Sequence, residues 1–404
     1  MGKKARIAKE KKAAVTERDL RGWDLLTRFS ELLARAQAQV TPGPRETHGL
    51  RQLTAQNYLR LFLLGVFNPI VTSMRGLCEA SHWPRVQQVA CGQTVVPSRF
   101  SDAQDVFDPE VLRLVMEELV AAGAAQLDAA HGGRALPPSA LQIIDSTLWA
   151  VLPRMKWARY GGGRTGATNG VRLHLKLRIS DHTPVQATVT VGACCERRAV
   201  RERLRAGELL LGDRNYAEDY GLLAEIVAAG GGFLFRLRKS AVLTWEQEET
   251  LTDAERAAGI VRAGWARLGE RGARLRWRIV RIEAPGHEPV VLVASAQFDD
   301  LTPGELGELY RKRWQVELFF RWLKCVLPCQ HWFAESQRGV TFQIYLSLIY
   351  ALLLSECLGR RPTKRLLELI AWREAGWASD DDFVAAVARE LRAQQQRAAR
   401  KKAA

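Results

Sequence analysis

Three acids stand out in the sequence by what precedes them. Asp145 closes the apolar run Leu141-Gln-Ile-Ile144, and Asp213 closes Leu209-Leu-Leu-Gly212. A short apolar run ending in an acid is the pattern of a buried strand that delivers a carboxylate to its C-terminal end, where open α/β sheets place ligand chemistry. The third acid, Glu317, lies 104 residues after Asp213 in a stretch of helical period. Two strand-end acids and one helical acid can surround a pair of hard divalent ions that also take phosphate oxygens and water. Such a set suits transfer of a phosphodiester. One ion activates an attacking water or 3′-hydroxyl, the other steadies the leaving oxygen, and nearby cations hold the phosphates in line.

The helix that carries Glu317 has a well-marked start in Asp300-Leu-Thr302-Pro303-Gly-Glu305. Thr302 can cap, Pro303 suits the first helical position, and Glu305 completes a capping box. The helix is expected to run to about Val326, ahead of Pro328. Along it Tyr310, Arg313, Glu317 and Lys324 fall within an arc of roughly 60° at about 100° per residue. Beside them Leu309, Val316, Phe319, Phe320 and Leu323 form an apolar stripe able to pack on a sheet. Arg313 and Glu317 alone could be an ordinary i, i+4 surface pair. The company of two strand-end aspartates is what turns the reading toward chemistry.

The elements that must position these residues fall into distinct stretches. A basic tail at 1–16 precedes a helical region at 17–135, read as a helical N-terminal domain with apolar recurrence in Trp23, Leu26, Phe29 and Leu33 and again in Tyr58, Leu61, Leu64 and Val66. The Gly- and Pro-containing stretch 131–139 marks its end. From Leu141 the period becomes two. Val171, Leu173, Leu175, Leu177 and Ile179 alternate with Arg172, His174, Lys176 and Arg178, which predicts a strand with one buried and one basic face. A hairpin returns through Val185–Val191, a charged helical stretch covers about Arg197 to Arg205, and further strand and helix patterns follow to Leu237. This order gives an α/β fold with a mixed sheet, in two parts at 140–240 and 298–360. A β-rich insertion at 241–297 separates them, and a helical C-terminal region with a basic tail occupies 361–404.

Composition narrows the classes of partner. Lys and Arg number 59 against 44 acids, a net charge of +15, which favours a polyanion and nucleic acid first. Seven cysteines without framework spacing, and no signal-peptide core after the basic N-terminus, point to a reducing interior. The uncharged stretch from Gly339 to Ser355 falls short of the roughly 20 apolar residues of a membrane span and reads as a buried helix. No membrane partner is expected. Cys325, Cys329 and His331 do not have a standard zinc spacing.

The same residues carry a family resemblance. Tyr310-Arg-Lys-Arg313-Trp-Gln-Val-Glu317, with Lys324 seven residues on, resembles without departure the Y-x2-R-x3-E-x6-K signature of bacterial DDE transposases of the insertion-sequence-four group. Ile143-Ile-Asp145-Ser-Thr147 and Leu210-Leu-Gly-Asp213-Arg-Asn-Tyr216 resemble the first and second aspartate motifs of that group, and the likeness covers roughly Leu50 to Leu353. It implies a ribonuclease-H-like core, two Mg²⁺ ions replaceable by Mn²⁺ and held by Asp145, Asp213 and Glu317, and DNA phosphate contacts from Tyr310, Arg313 and Lys324. It also implies double-stranded DNA partners, namely inverted-repeat ends and target, bridged by a homodimer in the bacterial cytoplasm at the nucleoid. Asn215 stands where relatives often carry Gly after Asp-Arg, and Asn tolerates a left-handed backbone.

Further DNA contacts are expected after Asp145, where Arg154, Lys156, Arg159, Arg164, Arg172 and Lys176 are interleaved with Trp149, Trp157 and Tyr160. In the insertion, alternation places Arg274, Arg276 and Arg278 on one strand face and Trp277 toward the core, while Trp245 and Trp265 have no assigned place. Three activities share these features: a cut-and-paste transposase, a nuclease that cuts without joining, and a DNA-binding descendant that does neither. The intact acid triad argues against the last.

Overall fold

The structure is a computed structural model of the chain, and it describes residues 23–68, 71–130, 136–152, 154–160, 168–269, 275–326, 332–358, 361–374 and 377–403. The first helices are α1 (Trp23–Gln37), α2 (Ala55–Phe67), α3 (Met74–Ala80), α4 (Pro97–Val106) and α5 (Glu110–Ala130). Thr54 caps α2 and Ser73 caps α3, each side chain accepting from a backbone N–H three residues on.

The sheet follows. Its strands are β1 (Leu141–Ala150), β2 (Arg159–Tyr160), β3 (Thr168–Arg178), β4 (Pro184–Val191), β5 (Leu209–Gly212), β6 (Gly232–Arg236), β7 (Leu243–Glu248), β8 (Ile260–Leu268), β9 (Arg276–Ile282) and β10 (Val290–Ala294). They lie in the order β2-β3-β1-β5-β6-β10-β9-β8-β7, with β4 also paired to β3. β1–β5 and β5–β6 are parallel, and the remaining pairs are antiparallel. The sheet is therefore mixed, as the sequence implied. The strands of 241–297 join it edge to edge, β10 pairing with β6, so the inserted segment widens the sheet that carries the aspartates.

Alternation along the central strands divides two cores. Ile143, Leu209, Leu211 and Leu234 enter one; Ile144, Leu210, Phe233 and Phe235 enter the other. The second core is roofed by α6 (Glu196–Arg201), α7 (Arg214–Ala217) and α8 (Tyr220–Ala228). On the first face lie α10 (Pro303–Arg311), α11 (Gln315–Val326) and α12 (Gln337–Leu358), which follow the short α9 (Asp253–Ala257). The N-terminal helices merge with this first core: Tyr58 meets Phe342 of α12 edge to face, and Phe62 meets Phe333 in the same way.

Helix α12 is long and apolar enough to cross a membrane, yet 78% of its apolar window is buried inside the protein. It is a core helix, as read from the sequence. Helices α13 (Lys364–Glu374) and α14 (Asp380–Ala403) close the chain.

One expectation fails at β3. Its supposed basic face is covered: α6 packs on β3, Arg178 lies against Gly123 of α5, and His174, Lys176 and Arg178 are all buried. Arg178 pairs with Asp181 at 2.8 Å, and Lys176 with Glu208 at 2.5 Å. Buried cations need such partners.

Candidate active site

Sheet register decides where the two aspartates meet. β1 and β5 run parallel with Ile143 opposite Leu211, and Asp145 and Asp213 each lie two residues further on. β1 does not end at Asp145, as its apolar run suggested; it continues to Ala150 along β3. What ends is β5, which turns away at Gly212. Asp145 is thereby left on a strand whose neighbour has just departed, with its carboxyl facing Asp213.

Asp213 is the N-cap of α7, and its Oδ1 accepts from the N–H of Asn215 at 2.9 Å. The turn into α7 is tight. A Cβ on Gly212 would stand 2.9 Å from Phe235 Cε1 and 3.0 Å from Tyr216 Cδ2, so only glycine lets the strand reach this point in its present packing. Asn215 is helical; its tolerance for a left-handed backbone is not called on, since His182 alone among the described non-glycine residues has positive φ.

The third acid arrives from α11. Helix α10 starts at the capping box of Thr302 and Glu305, as the sequence indicated, and a 3-10 turn at Lys312–Trp314 joins it to α11. Val316, Phe319, Phe320 and Leu323 are buried against the first core, which turns the polar edge toward β1. Arg313 then links the acids: its Nη2 donates to Glu317 Oε1 at 2.8 Å, and its Nη1 lies 3.7 Å from Asp145 Oδ2. The Tyr310 hydroxyl lies where it feels the charges of Arg313 and Asp213. Lys324 Nζ donates to Leu148 O at 3.0 Å and sits 5.8 Å from the Trp149 ring. Asp145, Asp213, Glu317, Tyr310 and Arg313 thus act on one another, and Lys324 meets the same strand further along, at Leu148.

Burial pushes the Asp145 carboxyl up to about 7, against the N–H of Ser146 that donates to it; the charge of Asp213 adds to the rise and Arg313 opposes it. Asp213 is raised as well, by burial first, with the Asn215 N–H opposing and Glu196 adding to the rise. Burial lifts the Tyr310 hydroxyl to about 12. Among the described residues no three His, Cys, Asp or Glu side chains stand at metal-holding distance from one another. The guanidinium of Arg313 lies between the acids instead.

The sequence reading passed over Glu196. It opens α6 and accepts from Ser146 Oγ and Arg172 Nη1 on one oxygen and from Asn215 Nδ2, at 2.6 Å, on the other. A lone acid just ahead of Arg197-Arg198 was the only linear signal, and it resembles any helix N-terminus.

The expected DNA contacts separate into groups. Arg154, Lys156 and Arg159 are exposed, and Arg154 also pairs with Glu335. Arg172 is half-buried and held by Glu196, Ser146 and the Gly192 carbonyl. Lys176 is only 4% exposed and bonds Glu208 and Arg203 O, so it reaches no surface ligand. Arg164, Cys329 and His331 lie outside the described residues, as do the side chains of Tyr160 and Cys325. Trp277 is buried as expected. Trp245 lies under Arg262, and Trp265 under Arg276 and Arg278.

The profile of the transposase DDE domain matches residues 137–353, more than half of the chain, and takes in all three acids. The chain belongs to the transposase DDE domain family. Among its relatives, a probable transposase for insertion sequence element IS5377 of Geobacillus stearothermophilus is 27% identical over 226 residues, covering 54% of this chain and 56% of that one. A protein named as a transposase, y4zB of Sinorhizobium fredii, is 24% identical over 239 residues, covering 57% of this chain and 64% of that one. The matches span less than two thirds of either relative. A solved piggyBac transposase synaptic complex with hairpin DNA overlays with a TM-score of 0.41 and 10% identity over 89% of this chain and 80% of that one, a likeness too slight to build on.

Proposed function

We propose that the chain is a DNA transposase of the insertion-sequence-four group, which hydrolyses phosphodiesters at the ends of its element and joins the freed 3′-hydroxyl to target DNA. One observation carries this reading: Arg313 pairs with both Asp145 and Glu317, acids remote in sequence, and the charges of Asp213 and Tyr310 act at the same place, while Lys324 reaches β1 further along at Leu148. The strand order β4-β3-β1-β5-β6, with β3 antiparallel to β1, supports a ribonuclease-H-like core.

The donor set suits hard cations. Three carboxylates, two of them resisting ionisation where they stand, form a site to which Mg²⁺ or Mn²⁺ would bring the missing positive charge. Asp145, Asp213 and Glu317 are the residues that would hold two such ions, which supply Lewis acidity at the attacking and leaving oxygens. Arg313, which now neutralises Asp145 and Glu317, is then available to a phosphate oxygen. Tyr310 and Lys324 hold the strand in line, and the exposed Arg154, Lys156 and Arg159 follow the backbone away from the cut. Double-stranded DNA, as element ends and target, is the proposed partner, gripped by a homodimer at the bacterial nucleoid. The N-terminal helices are proposed to add to DNA binding.

A plasmid carrying paired element ends tests the reading, with cut and joined products resolved on a gel. Both products are expected in Mg²⁺ or Mn²⁺. Cutting without joining would reduce the activity to that of a nuclease, and neither product would leave DNA binding alone.

A further inference from the structure

Glu196 lies on the opposite side of the sheet from Glu317. Side chains alternate along β1, so Asp145 shares a face with its cross-strand partner Leu175, in the core beneath α11. Ser146 and its partner His174 point the other way, toward α6. From that side the Glu196 carboxylate collects three donors: Ser146 Oγ, Arg172 Nη1, and Asn215 Nδ2 at 2.6 Å. Arg172 closes the ring by reaching Ser146 Oγ at 2.9 Å.

The two tethered residues are the ones that orient the aspartates. The N–H of Ser146 donates to Asp145 Oδ1 at 2.7 Å, and the N–H of Asn215 donates to Asp213 Oδ1 at 2.9 Å. Glu196 therefore joins, through one side chain, the two backbone donors that aim the two carboxyls. β1 and β5 make no ladder contact beyond Ile143 and Leu211, so the register brings Asp145 and Asp213 together but no cross-strand ladder holds them at their own positions. We propose that Glu196 is a positioning residue that sets the spacing and orientation of Asp145 and Asp213 for a divalent cation. Both its oxygens are engaged, which separates this role from that of a fourth ligand. The inference rests on the metal-holding assignment made under Proposed function.

The test is calorimetric titration of the full-length, DNA-free chain with Mn²⁺, alongside thermal melting of each variant. Glu196→Ala is expected to weaken Mn²⁺ binding about 10–100-fold, the usual effect of removing a group that orients a ligand, measured well below a melting temperature that the unpaired Arg172 lowers. Glu196→Gln keeps an acceptor for Ser146 and Arg172 and, with Asn215 turned over, an amide for its oxygen. It should stay within about threefold of wild type, against the larger loss for alanine. Unchanged affinity in Glu196→Ala overturns the proposal. Equal loss in both variants overturns it too, because that is the behaviour of a direct ligand. If Glu196→Ala does not fold, the double variant Ser146→Ala with Asn215→Ala removes both tethers; it must show the same loss, and wild-type affinity there sinks the idea. Absence of Mn²⁺ binding in the wild type itself would instead bring down the metal assignment, and this inference with it.

Discussion

At the scale of the residue, the site is a contest between burial and charge. The Asp145 carboxyl is raised to about 7 because folding desolvates it beside a second acid. A raised native pKa means that the native state holds the proton more tightly. The metal-free protein should therefore lose stability as pH rises from about 4 to about 7, by up to roughly 1.4 kcal/mol per unit, with no further loss from this group above that. Asp145→Asn removes the liability. In EDTA it should unfold at higher urea than wild type at pH 8, and the gap should narrow toward pH 4; a gap that ignores pH would assign it to something else. In Mg²⁺ the same substitution, like Asp213→Asn or Glu317→Gln, should abolish strand cleavage while DNA retention in a filter assay stays near wild type. Full cleavage by any one of them would remove that residue from the site. These acids could be proposed from the linear chain because each carried local context. Glu196 was not, since its three partners come from β1, β3 and α7 and meet only on folding.

At the scale of the element, what matters is how firmly α10 and α11 are set against the sheet. Arg278 on β9 is the anchor: Nε and Nη2 each bond Glu249 at 2.7 Å, and Nη1 reaches the carbonyls of Phe298, Asp299 and Leu301 just ahead of α10. Alternation had marked it only as one of three arginines on a strand face. Arg278→Ala strands a carboxylate and three carbonyls, and should cost about 3–5 kcal/mol in urea unfolding. Thr302→Ala loses only a cap and should cost about 1 kcal/mol; equal costs would deny Arg278 its anchoring role. Gly212→Ala tests the turn that delivers Asp213. The added methyl meets Phe235 and Tyr216, so a loss of about 1–3 kcal/mol is expected, largely relieved by pairing it with Phe235→Leu. An additive double variant would place the strain elsewhere.

At the scale of the whole molecule, the net charge of +15 favours a polyanion in bulk and is a poor guide to individual contacts. Arg154, Lys156 and Arg159 are exposed, whereas Lys176 is enclosed with Glu208. Log affinity for duplex DNA should fall linearly with log salt. Alanine at Arg154, Lys156 or Arg159 should lessen that slope by about 1 each. Lys176→Ala should lower stability without changing the slope, and a changed slope there would contradict its burial.

Sequence by itself determined the class of the molecule: the switch of period at Leu141, the two acids after apolar runs, and the capped helix that aligns Tyr310, Arg313, Glu317 and Lys324 are local properties of a chain, written in composition and spacing. Tertiary structure decided which acids face one another, which basic residues remain at the surface, and that the strands of 241–297 extend the main sheet. Those outcomes depend on strand register and on which faces become covered, and both are settled by packing between segments far apart in the chain.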